Sequence, residues 1–343
     1  MRDFRVGVVG ASGYSGSVAV RLLATHPRAQ LSFATSDRWS GESVGPHLGV
    51  RLGADLRFVP NSAAIECTEK CDAVVLATSA EVSVRLLPAF AERGKQVIDL
   101  SGAFRLTADA YPHWYGFEHD APQWLERAHY GLPELFGPPT PASPVSNPGC
   151  FPTAALLAIG PLVRAGLAHP EGIVIDAKSG VTGAGRQSGE TYSFAEVDDD
   201  FHAYSVLSHK HTPEIHRGLS RLSRGVSVTF TAHLLPVRRG LLATCYARPR
   251  EGATPERVAE CLADTYAKSA FVRALAPNRI GLRGVVGTNE CHVGATADDK
   301  VVIAIGAIDN LLKGAAGQAI QNLNLMNGWH EASGLDGLQR VAP

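Results

Sequence analysis

The chain opens with a short apolar strand that leads through a glycine-rich turn into a helix, and this order limits the folds available to it. Residues 4–9 predict a strand, residues 10–16 read Gly-Ala-Ser-Gly-Tyr-Ser-Gly, and residues 17–24 predict a helix. A second strand is predicted over residues 31–35. Together they form a βαβ unit, which is typical of a doubly wound α/β domain with a parallel sheet.

The glycines of this turn predict a dinucleotide site. Glycine lets the backbone approach a pyrophosphate, which then rests on the N-terminus of the helix. The spacing is G-x-x-G-x-x-G instead of the commoner G-x-G-x-x-G, and a glycine-rich connection without a ligand is the alternative. The residues of the turn that we predict to bind the cofactor are Gly10, Ser12, Gly13, Tyr14, Ser15 and Gly16.

The end of the second strand normally selects between the two nicotinamide dinucleotides. An acidic residue there binds a ribose 2′-hydroxyl, whereas arginine accepts a 2′-phosphate. This chain has Ser36-Asp37-Arg38, so both signals are present. Arg38 favours NADP(H), with Ser36 as a second ligand, and Asp37 is the contrary signal.

Two further buried strands are predicted over residues 72–77 and 96–100. In open parallel sheets, ligands bind beyond the carboxyl ends of the strands. Ser79, Ser101 and Arg105 follow these two strands, so we expect them to line a site, with solvated loop residues as the alternative.

A second motif delivers a cysteine to the start of an apolar helix. The sequence over residues 147–154 is Asn-Pro-Gly-Cys-Phe-Pro-Thr-Ala. Pro148 and Gly149 indicate a sharp turn, and Pro152 suits the first turn of a helix. The unpaired N–H groups and the positive end of the helix dipole lower the pKa of a thiol placed there. We therefore predict that Cys150 is a nucleophile and not an ordinary buried thiol.

The pattern changes after this helix. Strands with the alternation typical of an antiparallel sheet are predicted in the second half. A helix is predicted from about Pro255 to Ser269, with Thr254 as its N-cap, and another from Asn310 to Asn327. The predicted strands are 172–177, 226–232, 241–246 and 300–308. The fold class is therefore α/β: a Rossmann-type doubly wound domain, followed from near Cys150 by an α+β domain with a mostly antiparallel sheet.

Residues 209–214, His-Lys-His-Thr-Pro-Glu, are the other chemical cluster. An extended backbone would point both histidines to one side. One of them, placed near the cysteine, would act as a general acid and base. Alternatively, His209, His211 and Glu214 would ligate a metal. The third possibility is a solvated loop ahead of a helix over residues 215–222.

Composition excludes several classes of protein. A net charge of −1 over 343 residues gives no reason to expect nucleic acid or a membrane surface as a partner. No apolar run is long enough to span a membrane, and residues 1–5 lead directly into the first strand. The six cysteines are dispersed through a large chain, unlike those of a small disulfide-stabilised protein. These features predict a cytoplasmic protein.

Five motifs occur together along nearly the whole chain. Besides residues 10–16, 147–153 and 209–215, they are Gly-Val-Thr-Gly-Ala-Gly-Arg at 180–186 and Ala-Ile-Asp-Asn-Leu-Leu-Lys-Gly at 307–314. In this order they resemble the N-acetyl-γ-glutamyl-phosphate reductases of arginine biosynthesis, which are relatives of the aspartate-semialdehyde dehydrogenases.

The resemblance implies NADPH-dependent reduction of N-acetyl-γ-glutamyl phosphate to N-acetyl-glutamate 5-semialdehyde, with release of inorganic phosphate. It implies a thioester on Cys150, acid–base catalysis by His209 with His211 as the alternative, and a contact between Asn310 and the nicotinamide. No metal is implied. The residues expected to bind or orient the substrate are Arg105, Lys178, Ser179, Arg186 and Glu214.

The resemblance also bears on domains and assembly. It implies that a C-terminal helical segment, 314–343, completes the NADP-binding domain of residues 1–149, and that residues 150–313 form the catalytic and oligomerisation domain. A homodimer or homotetramer is expected, because relatives assemble in this way.

A sister branch acts on aminoadipyl phosphate attached to a carrier protein in lysine biosynthesis and is the alternative activity. The residues flanking the cysteine, namely Asn147, Pro148, Phe151 and Pro152, favour the arginine enzyme. Phe151 stands where the family more often has tyrosine, and its neighbour Pro152 indicates a packing role. A metal-dependent enzyme and a nucleotide-sensing regulator are more remote alternatives.

Overall fold

The computed structural model describes residues 4–53, 55–186 and 194–336. The predicted lead-in at residues 1–3 and the end of the predicted C-terminal segment, 337–343, lie outside them. The strands are β1 (Phe4–Val9), β2 (Ala29–Ala34), β3 (Ala73–Leu76), β4 (Gln96–Asp99), β5 (His129–Tyr130), β6 (Val145–Ser146), β7 (Ile173–Gly180), β8 (His202–Tyr204), β9 (Val228–Leu235), β10 (Leu241–Ala247), β11 (Val272–Ala274), β12 (Cys291–Ala297) and β13 (Val302–Ile308). The helices are α1 (Tyr14–Ala24), α2 (Val44–Leu48), α3 (Ala80–Ala91), α4 (Tyr111–Tyr115), α5 (Gln123–Arg127), α6 (Pro133–Phe136), α7 (Cys150–Arg164), α8 (Phe194–Val197), α9 (His211–Ser220), α10 (Pro255–Tyr266) and α11 (Gly317–Met326).

The chain divides into two compact units, and the first runs to Pro148 and resumes at Ala315. Its sheet has the strand order β2-β1-β3-β4-β6-β5, and every pairing is parallel. All four residues of β3 are buried, as expected for a central parallel strand. The predicted Rossmann-type sheet is confirmed.

The second unit runs from Gly149 to Gly314. Its sheet has the order β11-β12-β13-β10-β7-β9-β8. The β11–β12 and β7–β9 pairs are parallel and the other four pairs are antiparallel, which confirms the mostly antiparallel sheet. Along β7, Ile175 and Ala177 are buried on one face, while Asp176 and Lys178 lie on the other, partly open face.

The helix predicted over residues 310–327 is not continuous. Residues Leu312–Ala316 form a π-helical turn, and α11 follows from Gly317. The wider turn begins just after the carboxyl group of Asp309, which accepts hydrogen bonds from the N–H groups of Leu311 and Leu312. The Asp309 side chain, directly after β13, therefore accepts the backbone N–H groups with which the turn begins.

Helix α7 is buried along almost its whole length. Thirteen of its fifteen residues are buried, and a Cβ added at Gly306 of β13 would lie 2.4 Å from the carbonyl oxygen of Ala154. A helix that is apolar on all sides belongs in a core. The sheet therefore approaches α7 at backbone distance, which only glycine allows.

Pro161 lies inside α7 and has no N–H to donate to the carbonyl of Leu157, four residues earlier. A buried carbonyl without a donor costs free energy. The Tyr266 hydroxyl, at the end of α10, donates to this oxygen at 2.6 Å. A side chain from another helix thus replaces the hydrogen bond that proline removes.

We expect Tyr266→Phe to lower the free energy of unfolding by about 1–3 kcal/mol, because the Leu157 carbonyl then stays buried without this donor. Urea unfolding measures the change. In a Pro161→Ala background the restored N–H bonds to the same carbonyl, so the cost of Tyr266→Phe should shrink. Equal costs in the two backgrounds would contradict the replacement.

Candidate active site

The glycine turn between β1 and α1 is closely packed. Gly10 has φ +84°, and a Cβ there would lie 2.5 Å from the carbonyl oxygen of Ala77. A Cβ on Gly16 would lie 2.3 Å from the Gly10 carbonyl oxygen, so this position requires glycine for close packing. Gly13 is the N-cap of α1, which begins at Tyr14, three residues earlier than predicted. Ser12 and Ser15 are half-buried and flank this N-terminus.

The turn after β2 separates its acidic residue from its basic one. Both carboxyl oxygens of Asp37 accept hydrogen bonds from Asn61, one from the backbone N–H and one from the side-chain amide, each at 2.8 Å. Arg38 is exposed. Ser36 is fully buried, and its hydroxyl accepts from the N–H of Trp39 at 3.1 Å. Asp37 is exposed as well, so the two residues differ in that the aspartate is hydrogen-bonded to Asn61.

The loop after β3 is held by a buried carboxyl group. Ser79 is exposed and is the N-cap of α3. Next to it, the hydroxyls of Thr78 and Ser83 lie 2.8 Å apart, and Ser83 donates to Asp99 at 2.8 Å. Burial raises the pKa of Asp99, against the hydrogen bonds from Ser101 and Ser83. This network fixes the carboxyl ends of β3 and β4 relative to each other.

Cys150 is the first residue of α7, with Gly149 as the N-cap, which confirms the predicted helix-start cysteine. The first N–H groups of a helix have no partners within it and therefore point toward any group placed there. Gly314 approaches from the end of the unit: a Cβ at this position would lie 2.8 Å from the Cβ of Cys150. The thiol is half-buried. Gly314, the last residue of the 307–314 motif, therefore lacks a Cβ where Cys150 needs the space.

His209 lies among aromatic rings. Its ring contacts those of Phe151, Tyr204 and Phe230, with centroid separations of 5.3 to 5.6 Å. Burial, with a smaller contribution from Lys210, lowers the pKa of His209 to about 4. Nδ1 of His209 accepts the backbone N–H of His211 at 3.0 Å. His209 is therefore neutral near pH 7 and fixes the backbone of the second histidine.

His211 is the first residue of α9, so the expected extended backbone is wrong at this position. The rings of His209 and His211 are nevertheless neighbours, with centroids 4.8 Å apart. The His211 ring also lies 5.8 Å from that of Phe151, the residue after the cysteine. Phe151 is 2% exposed, in keeping with its predicted packing role.

Glu214 lies on α9 and is 1% exposed. Its Oε1 accepts a hydrogen bond from the N–H of Gly149 at 2.9 Å. Among the residues that the structure describes, no group of three or more His, Cys, Asp or Glu side chains is arranged to hold a metal ion. The second unit thus brings together Cys150, His209, His211 and Glu214.

The residues predicted to bind substrate lie in different surroundings. Arg105 belongs to the first unit, is 5% exposed, and donates to the carbonyls of Asn147 and Leu100 at 2.9 and 2.8 Å. Ser179 is buried at the end of β7, and Arg186 is exposed beyond the 181–184 turn. Their substrate contacts stay predictions.

Lys178 lies on the sheet face opposite α7. Its neighbour Ala177 pairs with Ala243, and Ala243 pairs with Gly306, which contacts α7. Because side chains alternate along a strand, Lys178 points to the other face. There its Nζ lies 2.7 Å from Asp176 Oδ2. Substrate binding by Lys178 stays a prediction.

Asn310 is 2% exposed, and its amide is engaged within the second unit. Its Oδ1 accepts the N–H of Gly240 at 2.8 Å, and its Nδ2 donates to Thr182 Oγ1 at 3.0 Å. The adjacent Asp309 carboxyl accepts from Arg239 at 2.8 Å and from the N–H of Gly287 at 2.9 Å. The pair ties three loops together. The predicted nicotinamide contact of Asn310 stays a prediction.

Asn147, one of the residues whose type favours the arginine enzyme, makes hydrogen bonds within the first unit. Asn147 is fully buried; its N–H donates to the Asp99 carbonyl at 2.9 Å, and its Nδ2 donates to the Ala315 carbonyl at 3.2 Å. Its Oδ1 accepts from Asn322 of α11 at 3.1 Å. The sequence signal for this role was an asparagine in a sharp turn just before Pro148, because a buried side-chain amide needs several hydrogen-bond partners.

None of the helices in the described part of the chain is long and apolar enough to span a membrane.

Two family models match the chain. The model described as semialdehyde dehydrogenase, NAD binding domain, matches residues 5–139, and the model described as semialdehyde dehydrogenase, dimerisation domain, matches residues 150–310. The first match shows that the nucleotide-binding unit serves a nicotinamide cofactor.

Curated relatives match over nearly the full chain. The N-acetyl-gamma-glutamyl-phosphate reductase of Magnetococcus marinus is 41% identical and covers 98% of both chains. The enzymes of that name from Geobacillus stearothermophilus and Symbiobacterium thermophilum are 42% and 43% identical and cover 97% and 96% of this chain and 98% and 97% of their own.

Solved structures show the same fold. Aspartate semialdehyde dehydrogenase II of Vibrio cholerae superposes with a TM-score of 0.71 at 19% identity, covering 95% of this chain and 99% of its own. A probable aspartate-semialdehyde dehydrogenase of Pseudomonas aeruginosa gives 0.70 at 19% identity, with the same coverage.

We expect iodoacetamide to alkylate Cys150 before the other five cysteines near neutral pH. Cys67, Cys71, Cys245 and Cys291 are at most 3% exposed, and burial raises the pKa of Cys71 to about 11 and that of Cys245 to about 12. Peptide mass spectrometry over time measures each rate. The half-buried Cys261, whose pKa burial also raises, is the internal comparison. Equal rates at Cys150 and Cys261 would contradict a nucleophilic thiol.

Proposed function

Because the chain belongs to the N-acetyl-gamma-glutamyl-phosphate reductase family, an oxidoreductase family, we propose that it reduces N-acetyl-γ-glutamyl phosphate to N-acetyl-glutamate 5-semialdehyde with NADPH. This is a step of arginine biosynthesis, carried out through a thioester on Cys150. The observation that carries the proposal is the position of Cys150 at the start of a buried helix, where the ring of the next residue, Phe151, contacts the rings of His209 and His211.

In the first half of the reaction, the Cys150 thiolate attacks the acyl carbon. The bond from that carbon to the phosphate oxygen breaks, and phosphate leaves with the electron pair and takes a proton from water. The first N–H groups of a helix have no partner within it, and we assign stabilisation of the developing oxyanion to this end of α7. Such donors act strongly because they are fixed before the reaction begins.

In the second half, NADPH supplies a hydride to the thioester carbon when bound. His211 gives a proton to the resulting oxyanion and takes it back as the C–S bond breaks, which restores the thiolate and releases the aldehyde. The structure favours His211 over His209 for this role. His209 has a pKa of about 4 and its Nδ1 accepts the His211 N–H, whereas an acid–base catalyst works best with a pKa near the working pH.

The turn after β2 supports the phosphorylated cofactor. Asp37 and Arg38 are both exposed, but each oxygen of Asp37 already accepts a hydrogen bond from Asn61. Arg38 supplies the positive charge that a 2′-phosphate requires. Gly10 and Gly16 let the turn pack closely on Ala77 and on itself, which positions the N-terminus of α1 where the pyrophosphate would rest.

Two neighbours of Cys150 are buried, and this limits their direct contact with a substrate. Asn147 and Phe151 are at most 2% exposed, so they act on the substrate only through the shape of the turn. The curated relatives carry the N-acetyl-glutamyl name, and we favour that substrate over a carrier-linked aminoadipyl phosphate.

The open sheet face supports assembly with a second copy of the chain. Val174 and Tyr246 are 42% and 37% exposed on this face. At its centre, Asp176 pairs with Lys178 and with Nδ1 of His233 at 3.0 Å. The dimerisation domain model matches the unit that carries this face. We propose a homodimer or a homotetramer built on it.

We expect wild-type protein to reduce NADP⁺ in the presence of N-acetyl-glutamate 5-semialdehyde and phosphate, and NAD⁺ more slowly. Cys150→Ala should lower turnover at least ~10³-fold, the scale expected for loss of a covalent nucleophile. Absorbance at the reduced nicotinamide band measures both. Cys261→Ala is the matched control and should keep wild-type turnover. Sustained turnover without phosphate would contradict cleavage of the thioester by phosphate, and near-normal turnover of Cys150→Ala would refute the thioester route.

The two histidines are separable by their pH–rate profiles. His211→Asn should lower kcat by roughly 10²-fold or more and remove one limb of the profile, because the proton carrier is lost. His209→Asn keeps an acceptor for the His211 N–H, so it should keep both limbs with a smaller loss. Loss of the limb in His209→Asn alone would reverse the assignment.

A further inference from the structure

The residue that precedes Cys150 is bonded to a buried carboxyl group on another helix. The N–H of Gly149 donates to Oε1 of Glu214, 65 residues later in the chain, at 2.9 Å. Gly149 and Glu214 are both buried. As the N-cap of α7, Gly149 has an N–H that lies outside the hydrogen-bond ladder of the helix. A buried N–H of this kind costs free energy unless a side chain accepts from it.

Glu214 also stands in a fixed relation to His211. The two are three residues apart on α9, which places them on neighbouring positions of one helix face. Gly218, four residues after Glu214, continues this face, and a Cβ there would lie 2.6 Å from Cδ1 of Leu156 on α7. One face of α9 therefore meets α7 at two levels, through Gly218 and through Glu214.

We propose that Glu214 is a positioning residue: its carboxyl oxygen sets the register between the start of α7 and the start of α9, and so holds Cys150 in place relative to His211. The inference rests on the proposed thioester route and deepens it. Orientation of the substrate by Glu214 stays a prediction. This role depends on the distance of Oε1 from the α9 backbone, because that distance decides whether the oxygen reaches the Gly149 N–H.

The register has a chemical consequence because the two groups act on one carbonyl group. The sulfur must reach the carbon while the imidazole reaches the oxygen. A displacement of about 1 Å between groups that act together costs roughly 10²-fold in rate. Packing at Gly218 acts on Leu156, nearly two turns of helix away from Gly149, so the bond from Gly149 to Glu214 adds a constraint at the start of α7 itself.

Two substitutions separate reach from acidity. Glu214→Gln keeps the chain length and an oxygen that accepts from Gly149, so kcat should stay within a few-fold of wild type. Glu214→Asp keeps the acid but is one methylene shorter, so kcat should fall roughly 10²-fold while KM for the semialdehyde stays within a few-fold. Ile215→Val, at the next and fully buried position of α9, is the matched control and should lower the melting temperature without lowering kcat.

A second measurement does not depend on turnover. Deuterium uptake over residues 147–153, followed by mass spectrometry on the full chain, should stay at the wild-type rate in Glu214→Gln and rise in Glu214→Asp. Wild-type protein without reductase activity would refute the proposed function, and the uptake pattern would still test the Gly149–Glu214 bond. A kcat higher in Glu214→Asp than in Glu214→Gln, equal kcat in both, or a loss confined to KM would overturn the positioning role.

Discussion

The burial of α7 on nearly every side is the constraint on which the second unit depends. An apolar helix enclosed in this way has no preferred solvent face to set its rotation, so specific close contacts have to do so. Gly306 of the sheet and Gly218 of α9 supply two of them, because each lets a neighbour approach where a Cβ would clash. The place of Cys150 at one end thus follows from packing along the rest of the helix.

Enclosure also creates polar groups that need partners. A buried amide or carbonyl left without a hydrogen bond costs free energy, so each end of a buried element has to find a partner in its surroundings. Tyr266 serves the Leu157 carbonyl, and Glu214 serves the Gly149 N–H. Asp309 does the same at the start of the π-helical turn. In this unit the polar contacts are placed where apolar packing ends.

Local sequence signals predicted backbone conformation well. Gly10 has the positive φ that its turn requires, Cys150 begins a helix, and Thr254 caps α10 through a bond from Arg257 N–H at 3.3 Å. These features depend on residues within one turn of each other. The predicted start of α9 at residue 215 is too late, because the helix already begins at His211.

Partners distant in sequence were not predictable. Alternation along β7 defines two faces, but it does not say which face the helices cover, and so the side on which Lys178 lies stayed open. In the same way, nothing near Asp37 indicates that Asn61 will occupy its carboxyl group. Such pairings arise only when the chain is folded, because they depend on which segments packing brings together.

The two places where the chain passes between units lie beside each other within each unit. Asn147 bonds to the Ala315 carbonyl in the first, and Gly314 packs on Cys150 in the second. The second unit is therefore an insertion with adjacent ends in a Rossmann domain, and the chain returns to that domain at Ala315. An ancestral nucleotide-binding domain could acquire or exchange such an insert at a single point without disturbing the order of its sheet. The nucleophile then arrives with the insert, at its first helical residue, while the cofactor turn belongs to the host.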